Sequence, residues 1–369
     1  MTGGPLSIAL LASSRHPIRQ PFAGGLEAHV WYLARALRRR GHRVTLFAAE
    51  GSDPAATDAT VRVQPFRASA AAGNDPSAAP APFLADHHAY LALMIDLAAL
   101  GSRSFDVVHN HSLHYLPLAM APALDIPMLT TLHTPPTPWL ESALEVSLGA
   151  GSGFVAVSEH TARSWRPTVP DVDVIANGVD VASWPVGPGG DDVAWFGRLT
   201  PEKGAHLAIA TARRAGRRLH LAGPVSDRRY FDERVAPCLD GDTVYHGHLD
   251  QPALADLIGG CGVVLVTPLW DEPYGLVVAE ALACGTPVAA FRRGGIPEIL
   301  DATCGRLAEP GDVDGLAATV EEVCGLDRAA ARARAVAHCG HDPMVEAYLR
   351  RYRHLIAADR AGRARKGAP

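Results

Sequence analysis

The chain has 369 residues, of which 48% are hydrophobic and 20% charged, and its formal net charge at pH 7 is −5. This length and hydrophobic content are sufficient for two domains with separate cores. Sequence-independent binding to nucleic acid requires a strongly basic surface, so this acidic balance excludes nucleic acid as an expected partner. We expect an ordinary soluble globular protein.

The six cysteines are widely spaced and form no Cys-x-x-Cys pair. We therefore interpret them as reduced thiols and expect a cytoplasmic location. The short apolar run at 6–12 follows no basic segment, so it fits a buried first strand better than a signal peptide. No apolar run is expected to reach the length of a transmembrane helix. The cysteines are Cys238, Cys261, Cys284, Cys304, Cys324 and Cys339.

Apolar strand-like runs alternate with helical patterns along the whole chain, which is typical of parallel α/β sheets. A first series of strands is predicted at 6–11, 44–48, 107–110, 128–132, 153–157 and 172–176. A Pro- and Gly-rich stretch at 185–190 follows. A second series is predicted at 193–196, 219–222, 244–246, 263–266 and 287–291, and a final helix at about 343–363.

The most informative stretch is EPYGLVVAE at 272–280, which places Glu272 and Glu280 eight positions apart across a Pro and Gly turn that opens into a helix. Carboxylates in this arrangement can accept hydrogen bonds from a polyhydroxylated ligand, while the first N–H groups of the helix face the same pocket. Upstream, Arg198 and Lys203 in FGRLTPEKG follow a predicted strand end, where two cations can neutralise a diphosphate. The pattern favours a sugar nucleotide as ligand.

The segment EPYGLVVAEALACGTPVAA, followed by GGIPE at 294–298, resembles the donor site of retaining glycosyltransferase family 4. FGRLTPEKG at 196–204 resembles the diphosphate-binding segment of that family. ANGVD at 176–180 resembles its interdomain junction, and GGLE at 24–27 its glycine loop. The resemblance spans about residues 6 to 350 and weakens in the Ala- and Pro-rich segment 65–85.

The resemblance implies a GT-B fold, in which two Rossmann-like, doubly wound parallel-sheet domains face a cleft. An acceptor-binding domain is expected at 1–180 and a nucleotide-sugar donor domain at 181–341. The segment 342–369 is expected to hold a helix that crosses back to the first domain, and a basic tail. The implied activity is retaining transfer of a hexosyl-type sugar, in the EC 2.4 class, from a nucleotide-diphosphate sugar to a hydroxyl of a small-molecule or glycan acceptor. A UDP-sugar is favoured as donor.

By the same resemblance, Arg198 and Lys203 stabilise the diphosphate, Glu272 contacts hydroxyls of the donor sugar, and Glu280 binds the nucleotide ribose. The N–H groups of Gly275, Leu276 and Val277 at the start of the helix are candidates for binding phosphate, since the positive end of the helix dipole lies there. Glu298 and Glu309 are expected to be solvated side chains. Each of these residues taken alone also fits an ordinary surface position.

In the first domain, Gly24 and Gly25 lie between a strand and a helix, where missing side chains allow the backbone to approach a bound phosphate or sugar. A simple tight turn is the alternative. His133 follows a predicted strand and matches the position where the family carries a histidine near the donor sugar, so it is the best catalytic candidate of this domain. A hydrogen-bonded structural histidine is the alternative for His133.

No metal or other cofactor is predicted. His109 and His111 are expected to point to opposite faces if the strand continued, and no nearby Cys or carboxylate completes a metal-ligand spacing. His87 and His88 are expected on a mobile loop. Enzymes with the GT-B fold also generally need no metal ion.

Other classes of function stay open at this stage. A GT-B epimerase or a non-catalytic nucleotide-sugar-binding protein would carry the same motifs. A dinucleotide oxidoreductase would require a Gly-x-Gly-x-x-Gly motif after the first strand, and the chain lacks it there. A phosphorylase would need a cofactor-bearing lysine, and the chain contains only Lys203 and Lys366. A two-carboxylate glycoside hydrolase is opposed by the helical spacing of the acids and by the accompanying cations.

Stable membrane association is not expected, because residues 1–180 hold 12 basic against 15 acidic residues.

Acceptor choice is expected to depend on first-domain loops, including 13–23 and 65–85. The high Ala and Arg content indicates a bacterial gene of high GC content. The single Pro- and Gly-rich linker predicts that the two domains close around the donor.

Overall fold

The computed structural model of the protein describes residues 4–53 and 66–366. Within these residues the chain forms two six-stranded sheets in which every strand pair is parallel. The first sheet contains β1 (Ser7–Leu11), β2 (Arg43–Phe47), β3 (Val107–Asn110), β4 (Met128–Leu132), β5 (Ser152–Ala156) and β6 (Val172–Val174). The second contains β7 (Val193–Phe196), β8 (Leu219–Ala222), β9 (Thr243–Tyr245), β10 (Val263–Val266), β11 (Val288–Phe291) and β12 (Gly305–Ala308).

Helices connect the strands and cover both faces of each sheet. In the first half of the chain they are α1 (Gly25–Arg39), α2 (Ala81–Leu100), α3 (Tyr115–Met120), α4 (Pro138–Ser147) and α5 (Glu159–Trp165). In the second half they are α6 (Ala205–Arg214), α7 (Arg228–Tyr230), α8 (Gln251–Gly260), α9 (Leu276–Ala283), α10 (Ile296–Ile299), α11 (Val313–Cys324), α12 (Arg328–His338) and α13 (His341–Lys366).

The strand order identifies both sheets as doubly wound. It is β2-β1-β3-β4-β5-β6 in the first sheet and β12-β11-β10-β7-β8-β9 in the second, so the order reverses direction beside β1 and beside β7. Along β1, Ile8 and Leu10 belong to one core cluster while Ala9 and Leu11 belong to another on the opposite face. Because successive side chains of a strand alternate between faces, a run that is apolar throughout is buried on both sides.

The last helix returns to the first sheet. Side chains of α13, including Val345, Tyr348 and Tyr352, are buried in the same cluster as Ile8 and Val30. The helix extends through Lys366, so the basic residues expected on a tail lie on its final turns. The residues 367–369 lie outside the described part of the chain.

All eleven predicted strands are present, with ends that differ by at most two residues, but a twelfth was missed. This strand, β12, has the sequence GRLA, and its two central residues are only partly buried. It lies at the edge of the second sheet, where one side has no neighbouring strand. A short, half-exposed edge strand lacks the continuous apolar run by which the other strands were predicted.

Helix α2 corrects two expectations. His87 and His88 lie within this 20-residue helix, not on a mobile loop. By length and composition, α2 is also the one helix of the described ranges that could cross a membrane, whereas no such run had been expected. Its buried side, which includes Tyr90 and Leu93, packs into the core of the first domain.

Candidate active site

A cavity of about 430 Å³ lies between the two sheets, and it is lined by residues that follow the carboxyl ends of their strands. Ligands of open parallel sheets bind at this edge, because the loops there emerge beside the point where the strand order reverses. All ten predicted site residues line this one cavity. They are Gly24, Gly25, His133, Arg198, Lys203, Glu272, Gly275, Leu276, Val277 and Glu280.

The glycine loop at the start of α1 lies directly against the second domain. A Cβ atom added to Gly25 would come within 2.8 Å of Cδ1 of Leu276. A side chain at position 25 would therefore displace the side chain of Leu276. Glu27, two residues further on, is buried and also lines the cavity.

The predicted cations lie beyond the end of β7. Arg198 is half-exposed and pairs loosely with Glu202, at 3.7 Å. Lys203 donates a hydrogen bond to Oε1 of Glu272, and its ammonium lies 4.9 Å from the centre of the Trp270 ring. The Trp270 indole N–H donates to the same oxygen, at 2.9 Å. Lys203, which is predicted to bind phosphate, and Glu272, which is predicted to bind the donor sugar, are thus hydrogen-bonded to each other. The bond holds both side chains at one point of the cavity wall.

Helix α9 presents its N-terminus and one carboxylate to the cavity. Gly275 caps the helix with a φ of 107°, a left-handed conformation that favours glycine. The first N–H groups of an α-helix have no carbonyl partner within the helix, so those of α9 are available to an anion. Glu280 lies on the same helix, and desolvation of its carboxyl raises its pKa to about 7.

His133 directly follows β4 and is hydrogen-bonded to a second histidine, with 2.8 Å between Nδ1 of His111 and Nε2 of His133. His111 Nε2 in turn lies 3.1 Å from His109 Nδ1. The expectation that His109 and His111 point to opposite faces was wrong. Residues two positions apart on an extended chain point to the same face, and the centres of the two rings lie 3.8 Å apart.

Burial keeps these imidazoles neutral. It lowers the pKa of His133 to about 3. Burial is also the main reason that the pKa values of His29, His109 and His111 lie well below the usual range. Neighbouring histidines lower these pKa values further. A chain of neutral imidazoles can share its hydrogens in either direction, so the bonds made by His111 decide which nitrogen of His133 carries a proton.

Three of these histidines offer one ring nitrogen each within 4.8 Å of one another: His29, His111 and His133. Three imidazoles form a donor set that suits zinc. The bonded nitrogens of His111 and His133, however, are 2.8 Å apart, closer than the roughly 3.3 Å expected for two nitrogens on one tetrahedral zinc ion. The geometry is that of a hydrogen-bonded pair, and the absence of a metal from the reaction stays a prediction.

Comparison with known proteins places this site in a family. Residues 23–183 match the family described as Glycosyltransferase Family 4, and residues 190–325 match the one described as Glycosyl transferases group 1. The glycogen synthase of Mycobacterium tuberculosis is 31% identical over 353 residues, which cover 85% of each chain. The chain belongs to glycosyltransferase family 4. The resemblance found in the sequence is thereby confirmed, and the protein is a glycosyltransferase of the EC 2.4 class.

Other relatives of this family 4 glycosyltransferase differ in their substrates. The phosphatidyl-myo-inositol mannosyltransferase of Mycolicibacterium smegmatis is 29% identical, and the match covers 80% of each chain. Among solved structures, AviGT4, a glycosyltransferase of avilamycin A biosynthesis, superposes with a TM-score of 0.67 at 24% identity, over 96% of this chain and 98% of that one. Sucrose-phosphate synthase from Thermosynechococcus elongatus reaches 0.75 at 21% identity, over 96% and 100%. These likenesses confirm the GT-B fold.

The two domains of the glycosyltransferase are hydrogen-bonded to each other on both sides of the cavity, through residues that the sequence had not indicated. On one side, Tyr32 of α1 donates to Gln251 at the start of α8. Tyr32 lies seven residues after Gly25, on the same face of α1, and this spacing is the signal that could have identified it.

On the other side, the carboxylate of Glu298 accepts hydrogen bonds from the backbone N–H groups of Glu159 and His160, at 2.9 and 2.7 Å. The expectation that Glu298 is only a solvated side chain was therefore wrong. The carboxylate binds the first turn of α5, where a negative charge is favourable. Sequence could not indicate this contact, because the two partners are more than a hundred residues apart.

Proposed function

We propose that this glycosyltransferase transfers a hexosyl group from a nucleotide-diphosphate sugar, with UDP-sugar favoured, to a hydroxyl of a small-molecule or glycan acceptor, with retention of the anomeric configuration. One observation supports it above the others. The two cations, the N-terminus of α9 and Glu280 of one domain face the same 430 Å³ cavity as His133 and the glycine loop of the other. A diphosphate, a ribose and a sugar each have matching groups there.

In the proposed complex, Arg198 and Lys203 offset the charge that develops on the diphosphate as its bond to the sugar C1 breaks. Donors placed where charge develops stabilise a transition state by roughly 3–4 kcal/mol each. The N–H groups at the start of α9 bind phosphate oxygens, and Glu280 accepts hydrogen bonds from the ribose hydroxyls. Glu272 and His133 contact the donor sugar.

The acceptor hydroxyl attacks C1 on the face from which the diphosphate departs. The new bond joins the acceptor oxygen to C1, the bond between C1 and the phosphate oxygen breaks, and the hydroxyl proton passes to that departing oxygen. No protein nucleophile is required. HepE of Anabaena, a structural relative, has been solved in one complex with UDP and glucose and in another with UDP-glucose. These complexes favour a UDP-sugar as the first donor to examine.

We further propose that the reaction uses no metal ion and takes place in the cytoplasm of a bacterium. The cavity supplies its own cations for the diphosphate, and six free thiols suit a reducing compartment. Dialysis against EDTA is expected to leave the transfer rate unchanged. A loss of activity that Zn²⁺ or Mg²⁺ restores would contradict metal independence.

The test is a thermal-shift screen of UDP-, GDP-, ADP- and dTDP-sugars on the wild-type protein and on Glu280→Ala. A ligand at 100 times its Kd stabilises a protein by about 2.7 kcal/mol, which is a shift of several degrees. We expect one nucleotide to produce this shift and the variant to lose it. No shift with any of the four would contradict the proposal. Product NMR then reports the anomeric configuration, and an epimerised donor without transfer would indicate the epimerase alternative.

A further inference from the structure

Four aromatic side chains form a partly exposed cluster on the first domain, outside the cavity. They are Phe83 and His87 of α2, Tyr115 at the start of α3, and Trp139 of α4, and we call them the aromatic platform. The Tyr115 and Trp139 rings are stacked with centres 5.5 Å apart, and Phe83 lies 5.8 Å from Trp139. Trp139 is 61% exposed, although exposing so large an apolar ring to water is costly.

The platform is continuous with the wall of the cavity. Leu113 lines the cavity and precedes Tyr115 by two residues. Arg15 also lines the cavity, and its guanidinium pairs at 3.6 Å with Asp86, the residue directly before His87 on α2. A ligand that leaves the cavity at Leu113 and Arg15 therefore meets the aromatic platform next.

Polar groups accompany the aromatic faces. His87 Nδ1 and the Tyr115 hydroxyl are hydrogen-bonded at 2.7 Å, and Asp86 accepts from the Ser14 hydroxyl at 2.7 Å. A pyranose ring has an apolar C–H face, which packs on the electron-rich face of an aromatic ring, and a rim of hydroxyls that need hydrogen-bond partners. The platform offers both kinds of contact, whereas a lipid chain would use only the first.

The charges carried by α2 and α4 do not favour binding to an anionic membrane. Helices α2 and α4 carry four acidic residues, Asp86, Asp96, Glu141 and Glu145, and neither helix contains a lysine or an arginine. Membrane-surface binding is favoured by basic residues close to the bilayer. Helices α2 and α4 therefore offer no basic residue that would attract anionic lipid, whereas a neutral sugar chain needs none.

We infer that the aromatic platform binds the sugar chain of an oligosaccharide or polysaccharide acceptor, at units beyond the one whose hydroxyl enters the cavity. This inference rests on the proposed transfer function and narrows its acceptor from any hydroxylated molecule to a glycan of several units. Trp139 supplies the main stacking face, and the polar groups at its border bind hydroxyls of the chain.

The experiment compares glycan binding by the wild type with binding by Trp139→Ala and Trp139→Phe. The probes are the disaccharides and hexasaccharides of the malto-, cello-, laminari- and manno- series, with Kd measured by calorimetry. The matched control is Val336→Ala, which removes an exposed apolar side chain from α12 in the second domain. UDP binding is measured on every sample and reports whether the cavity is intact.

We expect one hexasaccharide to bind the wild type about tenfold more tightly than its disaccharide, as one good stacking contact would produce. Trp139→Ala should abolish this preference, Trp139→Phe should retain most of it, and Val336→Ala should leave it unchanged. UDP should bind equally well to all four proteins.

Two results would overturn the inference while leaving the proposed function intact. The first is that UDP binds but no hexasaccharide binds more tightly than its disaccharide. This includes the case in which the wild type binds phosphatidylcholine vesicles through Trp139 instead. The other is a length preference that survives in Trp139→Ala. Failure of all four nucleotide sugars to bind would contradict the proposed function separately, and the glycan measurement would still decide whether the platform binds sugar.

Discussion

Nδ1 of His111 lies 2.8 Å from Nε2 of His133, and His111 does not line the cavity that His133 reaches. We therefore infer that His111 is a positioning residue, which would act on the proposed reaction through the orientation and tautomer of His133. Its other nitrogen lies 3.1 Å from His109, which is also 2.6 Å from the hydroxyl of Tyr352 on α13. The returning helix thus contacts the far end of the histidine chain.

Replacing His111 by alanine is expected to lower kcat about tenfold, which corresponds to the loss of one hydrogen bond that fixes His133. The Kd for nucleotide should not change, because His111 does not line the cavity and contacts the site only through His133. His111→Asn retains an amide near the position of Nδ1 and should recover part of kcat. Nitrogen-15 NMR of the His133 ring would show a changed tautomer ratio in His111→Ala only. Unaltered kcat in that variant would refute the positioning role.

Substituting Lys203 by methionine, or Arg198 by alanine, should lower kcat at least about 100-fold, since each removes a charge directed at the leaving group. Lys203→Met also leaves the buried Glu272 carboxylate without its cation, so its melting temperature should fall. The double variant with Glu272→Gln should regain stability without regaining activity. Arg214→Ala removes a surface pair with Asp314 and serves as the control. Normal turnover in Lys203→Met would exclude a role in catalysis.

The raised pKa of Glu280, about 7, predicts pH-dependent binding of the nucleotide. In the proposed complex the ribose hydroxyls donate to the ionised carboxylate, so binding should require loss of its proton and strengthen about tenfold between pH 6 and pH 8. The effect of rising pH on the stability of the free protein has the opposite sign to its effect on nucleotide binding. Because the pKa in the folded state exceeds the unfolded value, the free protein gains stability from protonated Glu280 at low pH and loses that contribution as pH rises through 7.

Calorimetry in two buffers of different ionisation enthalpy measures the proton released on binding. We expect close to one proton at pH 6 and nearly none at pH 8 in the wild type. Glu280→Gln should bind weakly at both pH values and release none. A wild-type Kd that is flat from pH 6 to 8 would show that the ribose does not select the ionised form.

Removal of the Glu298 carboxylate is expected to open the two domains in the absence of donor. Glu298→Ala deletes two hydrogen bonds from a charged acceptor to backbone N–H groups of α5, and such bonds are worth more than neutral ones. Small-angle scattering should give a larger radius of gyration for the free variant, and saturating donor should reduce it. Glu309→Ala changes an exposed acid that pairs with Arg292 and is the control. Identical curves for the free wild type and Glu298→Ala would argue against this contact.

The wild type itself tests the closure predicted from the Pro- and Gly-rich linker. Its scattering curve with saturating donor should indicate a more compact molecule than the curve without. If the two curves superimpose, closure around the donor does not occur. The control is Glu280→Ala with the same donor, which should stay in the donor-free form.

Much of the architecture followed from local pattern. Continuous apolar runs predicted eleven strands because, in a doubly wound fold, helices cover both faces of each sheet. The second-domain site residues were found because they lie within two short segments, 196–204 and 272–280, each of which makes a strand-to-helix turn on its own. The edge strand β12 was missed because it is half-exposed. Part of helix α2 was misassigned to a loop because the helix begins in an Ala- and Pro-rich segment.

The sequence by itself therefore determined the parallel α/β class, the family, and the residues that would meet in the cavity, because they lie on the connections from strand ends to the following helices, and such ends gather at one edge of a sheet. Only the tertiary structure decided the contacts between distant segments: His111 on His133, Lys203 on Glu272, and Glu298 on α5. These depend on where the chain bends after a strand and on how closely two domains approach. Neither property is encoded in the spacing of neighbouring residues, since the first two contacts arise from packing within a domain and the third from packing between the domains.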